Sequence, residues 1–167
     1  RHLLVECSLD GFLARLAARV QLMTIEGWQR TATPSGLHIR AHLQCDADRV
    51  YIGAVPPLGR LDPAMLRGVA QLAREQGDGS LRFTPWQSLL LPGVHTDNAA
   101  QVIHSLEQLG LGCSADDALA QLIACTGSTG CGKGLADTKG DARQLAALLQ
   151  HHGHALNVHL SGCSRSC

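Results

Sequence analysis

Aromatic residues are scarce in this chain: two Trp, two Phe and one Tyr make 3% of 167 residues. That is too few for the stacking platforms on which proteins hold single-stranded nucleic acid. Neither sign of charge is in excess. Fourteen Lys and Arg face fourteen Asp and Glu, for a formal net charge of +0, so the basic surface that nucleic acid or an anionic membrane requires is missing. All charged residues together reach 17%, below the usual figure of about a quarter. Long apolar runs are absent too. Leu89-Leu90-Leu91 is cut by Pro92, far short of the roughly 20 residues that cross a bilayer. The 45% of hydrophobic residues still suffice for a packed core, of one domain or one and a half.

The first residue is Arg1 and the last Cys167, and the expectation is a piece of a longer chain. Leu9 to Met23 is apolar, but Asp10, Arg15, Arg19 and Glu26 interrupt it and no small-residue cleavage site follows. It reads as an amphipathic helix with Leu13, Leu16, Ala17 and Val20 on one face, capped by Ser8 or Asp10. Residues 31–36 read as a linker. Leu37 to Leu43 alternates apolar with polar residues, as a short strand or an extended linker would. Residues 1–45 are thus an N-terminal helix and linker.

From Arg49 the pattern is regular. Arg49–Val55 predicts a strand, Asp62 a cap with Pro63 at the first helical position, and Ala64–Gln76 a helix with Met65, Leu66, Val69, Leu72 and Ala73 inward. Ser80–Thr84 predicts a second strand, with Arg82 and Thr84 on one face and Leu81 and Phe83 buried on the other. Pro85-Trp86 makes a corner, Gln87–Leu91 a third strand, Pro92-Gly93 a turn and Asn98–Leu109 a helix. The order β-α-β-β-α over 46–112 predicts an α+β layer, a ferredoxin-like half domain lacking or borrowing one strand. In 113–167 the expectation is a short helix over Asp116–Ala124, a helix over Thr138–Gln150 and a strand over Leu156–Leu160, an α/β segment with no closing strand.

Seven cysteines are present, and the last four fall into two pairs, Cys125-x5-Cys131 and Cys163-x3-Cys167. The odd count and the lack of any sign of secretion argue against a disulfide framework and for a reducing, cytoplasmic setting. Each pair lies among Gly, Ser and Thr, which leave backbone N–H groups free for an anionic cluster and room for its sulfides. A [4Fe–4S] cluster fits this set. A structural zinc site is the alternative, although its paired ligands usually stand two to four residues apart. Lys133 and Arg165 are placed to offset cluster charge. Cys7, Cys45 and Cys113 have no partner at short spacing and read as small buried residues. Gly127-x4-Gly132-Lys133 has phosphate-loop spacing, but Gly134 replaces the required Ser or Thr and the element expected before it is a helix.

Cys-x5-Cys followed by Ser-Gly-Cys-x3-Cys resembles the nitrite/sulfite reductase superfamily, and Arg82-Phe83-Thr84-Pro85-Trp86-Gln87 stands where its sirohaem enzymes have Arg-x-Thr-x-Arg-Gln. The resemblance implies that Cys125, Cys131, Cys163 and Cys167 hold a [4Fe–4S] cluster, with Cys167 also bridging to sirohaem iron. Within the superfamily, Pro56-Pro57-Leu58-Gly59-Arg60-Leu61, Thr84-Pro85-Trp86-Gln87 and the Cys125–Thr138 segment are most similar to the precorrin-3B synthases of cobalamin biosynthesis. That resemblance implies a monooxygenase converting precorrin-3A to precorrin-3B, with a tetrapyrrole substrate, a mononuclear non-haem iron beside the cluster and a separate reductase as electron donor. Arg82 and Lys133 would then hold substrate carboxylates. Trp86 in place of Arg ranks sirohaem below the other cofactors, and a stacking role on a macrocycle is open to it beside simple packing. His38, His42, His95, His104 and His159 are available to the iron, but spacing selects no set among them. A sirohaem-dependent sulfite or nitrite reductase is the second reading, and a non-catalytic Fe–S or zinc protein the third.

Overall fold

A computed structural model describes residues 2–17, 19–21, 27, 29, 31–32, 36–154 and 156–167. The chain divides into two compact units, 1–33 and 34–167. In the first, helix α1 runs His2–Ala17 and breaks at Ser8, whose backbone leaves the helical region at φ 55, ψ 168. The Ser8 hydroxyl accepts the Gly11 N–H at 3.3 Å, restarting the helix as the cap expected there. The helix ends at Ala17 with a turn onto the Leu16 carbonyl, short of the expected end at Met23, which lies outside the described residues.

The second unit holds a four-stranded antiparallel sheet in the order β1-β2-β4-β3 and a two-stranded parallel sheet, β5-β6. The strands are β1 Arg40–Leu43, β2 Arg49–Ala54, β3 Arg82–Phe83, β4 Leu89–His95, β5 Leu122–Ala124 and β6 Val158–Leu160. The alternation around 37–43 is therefore a true edge strand, with Leu43 opposite Val50. It supplies what the β-α-β-β-α order lacked.

Two helices cover one face of the large sheet. In α2, Pro63–Gln76, the Asp62 carboxylate accepts the Ala64 and Met65 N–H groups at 2.7 and 2.8 Å, and Pro63 needs no donor at that position. Val69 and Ala73 go inward, as do Val102 and Leu106 of α3, Ala99–Gln108. They meet Val50, Ile52, Ala54, Leu89, Leu91 and Val94, the inward set of two alternating strands. Leu66 departs from its expected place and is exposed.

Pro92-Gly93 does not end a strand. Val50 pairs with Val94 but Ile52 with Leu91, so β4 carries one extra residue there, a bulge. Gly93 takes φ +77, and a Cβ on it would crowd the Asp78 backbone at 2.8 Å. Pro92 gives up no ladder bond at the bulge, and its carbonyl accepts the Asp78 N–H at 3.0 Å.

The segment 116–124 is not a helix. Asp117 caps a single 3-10 turn, Ala118–Gln121, and the chain then extends into β5 beside β6. The spacing of Leu119, Leu122 and Ile123 suits a helix, but Leu122 and Ala124 are buried by pairing and by α4, Thr138–His151. A strand, not a helix, thus precedes Cys125. The phosphate-loop reading still fails, because Gly134 lacks the hydroxyl and α4 begins only at Thr138. Ala142, Ala146 and Leu149 of α4 close a second core with Leu122, Ala124 and Leu58. Leu58 holds φ 52 in the loop after β2 and is 1% exposed.

Candidate metal centre and adjoining cavity

Parallel pairing sets Ile123 beside His159 and Ala124 beside Leu160. Cys125 and Ser161 therefore leave adjacent strand ends in the same direction, and the two cysteine loops start side by side. The Cys125 N–H donates to Leu160 O at 3.0 Å, and the Leu135 N–H to Gly162 O at 2.8 Å, tying one loop to the other. Gly127, at φ +69, fits under Thr138, where a Cβ would stand 2.6 Å from the hydroxyl oxygen. The Thr138 hydroxyl donates to Cys125 O at 2.8 Å.

Cys125 is the most structured of the four. Its Sγ receives the Gly162 N–H at 3.3 Å and stands 3.6 Å from the Thr138 hydroxyl. The Gly162 amide first, then Thr138, holds this thiol below its ordinary pKa and favours the thiolate a metal requires. Cys163 is half-buried, and Cys131 and Cys167 are exposed. Among the described residues no three His, Cys, Asp or Glu side chains already stand together around one point. The donor chemistry nevertheless suits an iron–sulfur cluster: four free thiols in loops of mostly small residues, one already accepting a backbone N–H as cluster sulfurs do.

A cavity of about 500 Å³ opens beside these loops, and both Cys125 and Cys167 line it. Its other walls come from the loop after β2 with Arg60, the β3–β4 turn with Thr84 and Gln87, and α4 with Lys139. The turn is rigid. Thr84 and Ser88 hydroxyls bond at 2.6 Å, and the Trp86 and Ser88 N–H groups both donate to Thr84 Oγ1. Gln87 sits at φ 57 and donates to Ala124 O at 3.4 Å. Its Oε1 is buried with no hydrogen-bond partner and packs on Gly59, where an added Cβ would stand 2.6 Å from it.

Several expected site residues fall elsewhere. Phe83, expected in the core, is 69% exposed, because β3 is an edge strand of two residues that the helices do not reach. Both Phe83 and Thr84 line the cavity, whereas Arg82 does not and acts on Asp78 instead. Lys133 and Arg165 are exposed on the loops. The buried cation near Cys125 is Lys139, which sequence reasoning passed over. Trp86 stacks on His38, with ring centroids 5.3 Å apart. The other histidines are engaged separately: His42 with Ile39 O, His95 near Asp48 and Asp97, His104 with Gln108, and His159 with Cys167 O. They do not gather into an iron site. Cys113 is buried and its thiol pushed up to about 12, by burial first and then by Glu107 and Asp117. Cys45 is exposed, contrary to expectation, since it follows the edge strand β1 into a turn.

The fold and site together define an α+β half domain followed by a cysteine-bearing α/β segment. Residues 42–109 match the family model for the Nitrite/Sulfite reductase ferredoxin-like half domain. The chain is 31% identical over 135 residues to the chloroplastic ferredoxin–nitrite reductase of Zea mays, a match covering 78% of this chain and 24% of that one. To sulfite reductase [ferredoxin] 2 of Mycolicibacterium paratuberculosis it is 32% identical over 124 residues, 70% of this chain and 22% of the relative. The solved Mycobacterium tuberculosis NirA protein superposes with TM-score 0.79 at 24% identity, over 99% of this chain and 32% of that one. The chain thus spans about a quarter of the curated relatives it matches.

These relatives overturn the cobalamin reading. They are named nitrite and sulfite reductases, so O2-dependent conversion of precorrin-3A, the precorrin substrate and the monooxygenase assignment do not stand. The residues that carried that likeness have packing roles: Leu58 of the Pro-Pro-Leu-Gly-Arg loop fills the second core, and Trp86 packs on His38. Nor does Trp86 rank sirohaem below other cofactors, since it is not among the cavity-lining residues. No helix among the described residues is long and apolar enough to cross a membrane.

Proposed function

We propose that this chain is part of a sirohaem-dependent sulfite or nitrite reductase that takes electrons from a separate donor such as a ferredoxin. In this reading 46–112, together with the edge strand β1, is one half domain and 113–167 the cluster-bearing segment. Cys125, Cys131, Cys163 and Cys167 would hold a [4Fe–4S] cluster, and two of them, Cys125 and Cys167, line the cavity. The observation that carries it is the shared cavity: the half domain's loops and two of the four cysteines line one space.

When bound, the cluster and sirohaem supply electron delivery and the metal at which the substrate anion is reduced. The chain's own residues bind and orient. The Arg60 guanidinium offers a fixed charge and a planar fork to a macrocycle carboxylate or the substrate anion. The rigid Thr84–Ser88 turn holds Gln87 in the wall. Amides of the cysteine loops donate toward thiolate sulfur, as Gly162 does to Cys125. Arg82 and Lys133, exposed outside that wall, are assigned a supporting role in drawing anions to its mouth.

The test is iron, acid-labile sulfide and tetrapyrrole absorption on the full-length protein purified without oxygen, with sulfite and nitrite reduction by reduced ferredoxin. Serine at any of the four cysteines should abolish the cluster signal; Cys45→Ser and Cys113→Ser should leave it. Zinc in place of iron, or a full-occupancy cluster surviving in two of the four variants, would overturn the assignment.

A further inference from the structure

Lys139 is the one charged side chain that is buried among the described residues, at 7% exposure. Its ammonium donates to Leu58 O at 2.6 Å and to Ala124 O at 3.0 Å. These two carbonyls belong to different layers: Leu58 to the loop after β2, Ala124 to the last position of β5, directly before Cys125. No carboxylate stands within 4.0 Å among the described residues. Burial first, then the like charge of Arg60, holds the Lys139 ammonium below its ordinary pKa; Cys125 acts the other way, and Arg143 again lowers it. Two carbonyls take two of the ammonium's three donors but do not neutralise it, and an unpaired buried charge is costly. On the proposed reading, the negative charge that would repay that cost is the cluster's, held beside the same cavity that Lys139, Cys125 and Cys167 line.

We propose that Lys139 is a positioning residue for the metal centre, which clamps the end of β5 to the half domain and sets a fixed positive charge beside the cluster. The inference rests on the reading of Cys125 as a cluster ligand. A fixed cation favours the more negative, reduced state of the cluster and so raises its potential, more strongly in a buried setting than at the surface. The clamp keeps Cys125 in register with the cavity, because Leu58 is itself held in the second core. Thr138 strengthens it from the neighbouring position by bonding Cys125 O.

The test uses the full-length holoenzyme with Lys139→Gln, Lys139→Arg and Lys139→Met, and Arg74→Gln on the exposed end of α2 as a distant control. Glutamine keeps amide donors but no charge, arginine keeps the charge, and methionine keeps neither. In a redox titration followed by EPR, Lys139→Gln should shift the cluster potential to more negative values, Lys139→Arg should restore it toward wild type, and Arg74→Gln should not move it. In hydrogen exchange, Lys139→Met should speed the Arg60 and Cys125 amides tenfold or more, with the Leu106 amide in α3 unchanged. If Lys139→Met does not accumulate, the Gln and Arg variants still decide the charge effect. A wild-type cluster whose potential is the same in Lys139→Gln overturns this inference alone. A wild-type protein without any cluster overturns the reading of the cysteines and this inference with it.

Discussion

Gly127 and Gly132 lie in the same cysteine loop, yet an added methyl should destabilise the first and leave the second nearly unchanged. At Gly127 the backbone is left-handed, φ +69, which costs a non-glycine residue about 1–2 kcal/mol. The new Cβ would also meet Thr138 N at 2.9 Å and Ala136 O at 3.0 Å, both backbone atoms that no side-chain rotation can move. Together these put Gly127→Ala at about 2 kcal/mol or more, some thirtyfold in the folded population. At Gly132 nothing lies within 4 Å of the built Cβ and φ is not positive, so Gly132→Ala should stay within about 0.5 kcal/mol of wild type. The displaced Thr138 also releases Cys125 O and Sγ, so cluster content should fall with stability in Gly127→Ala and with neither in Gly132→Ala. Urea unfolding midpoints and iron per chain are the measurements. Equal midpoints for the two variants would show that the Gly127 turn is not built as described.

Asp62→Ala removes both bonds to the first turn of α2 and should cost about 0.5–2 kcal/mol, read as a melting temperature lower by several degrees. Cys113, held protonated in the folded state up to about 12 against an ordinary 9.0, binds its proton more tightly folded than unfolded. Its contribution is therefore full below pH 9 and falls as pH rises from there toward 12, and a Cys113→Ala variant should flatten that part of the stability profile. The same burial predicts that iodoacetamide labels exposed Cys45 promptly at pH 8 and Cys113 only on unfolding, which mass spectrometry of labelled peptides would check. Arg60→Ala should weaken tetrapyrrole retention about tenfold or more, the loss of a charge-assisted bond of about 1.5–3 kcal/mol. Arg82→Ala should do much less, because its side chain lies outside the cavity wall. Equal effects of the two in a fluorescence-quenching titration would refute that assignment.

Local signals made parts of this fold legible. Asp62 before Pro63 marked the start of α2, and apolar residues at helical spacing marked the buried stripes of α2 and α3. What failed was non-local. Leu119, Leu122 and Ile123 look helical in isolation, and only the arrival of Val158–Leu160 alongside makes 122–124 a strand. Pro92-Gly93 looks like a turn because the bulge that absorbs it is defined by β2, far back in sequence. The cysteine pairs stand out in sequence by their spacing and small neighbours; the placement of their loops at adjacent strand ends does not. Lys139 was missed because it reads as an ordinary position on a helix surface. One local hint existed: a lysine in the first helical turn opposes the helix dipole, so its presence there asks for another reason. That reason is the Leu58 carbonyl, which no pattern near Lys139 announces.

The crossover from β5 through α4 to β6 also decides who bears the cost of assembling a four-thiol site. Cys125 and Gly162 are 37 positions apart in sequence and 3.3 Å apart in space. Closing a flexible loop of that length costs about 3 kcal/mol of chain entropy on the (3/2)RT ln n rule, before its constant. Here that loop is closed by packing Ala142, Ala146 and Leu149 against β5 and the Leu58 plug, not by iron. On the proposed reading, a cluster would therefore have only the two short cysteine loops left to order, because the strands and helix that bring them side by side are already packed.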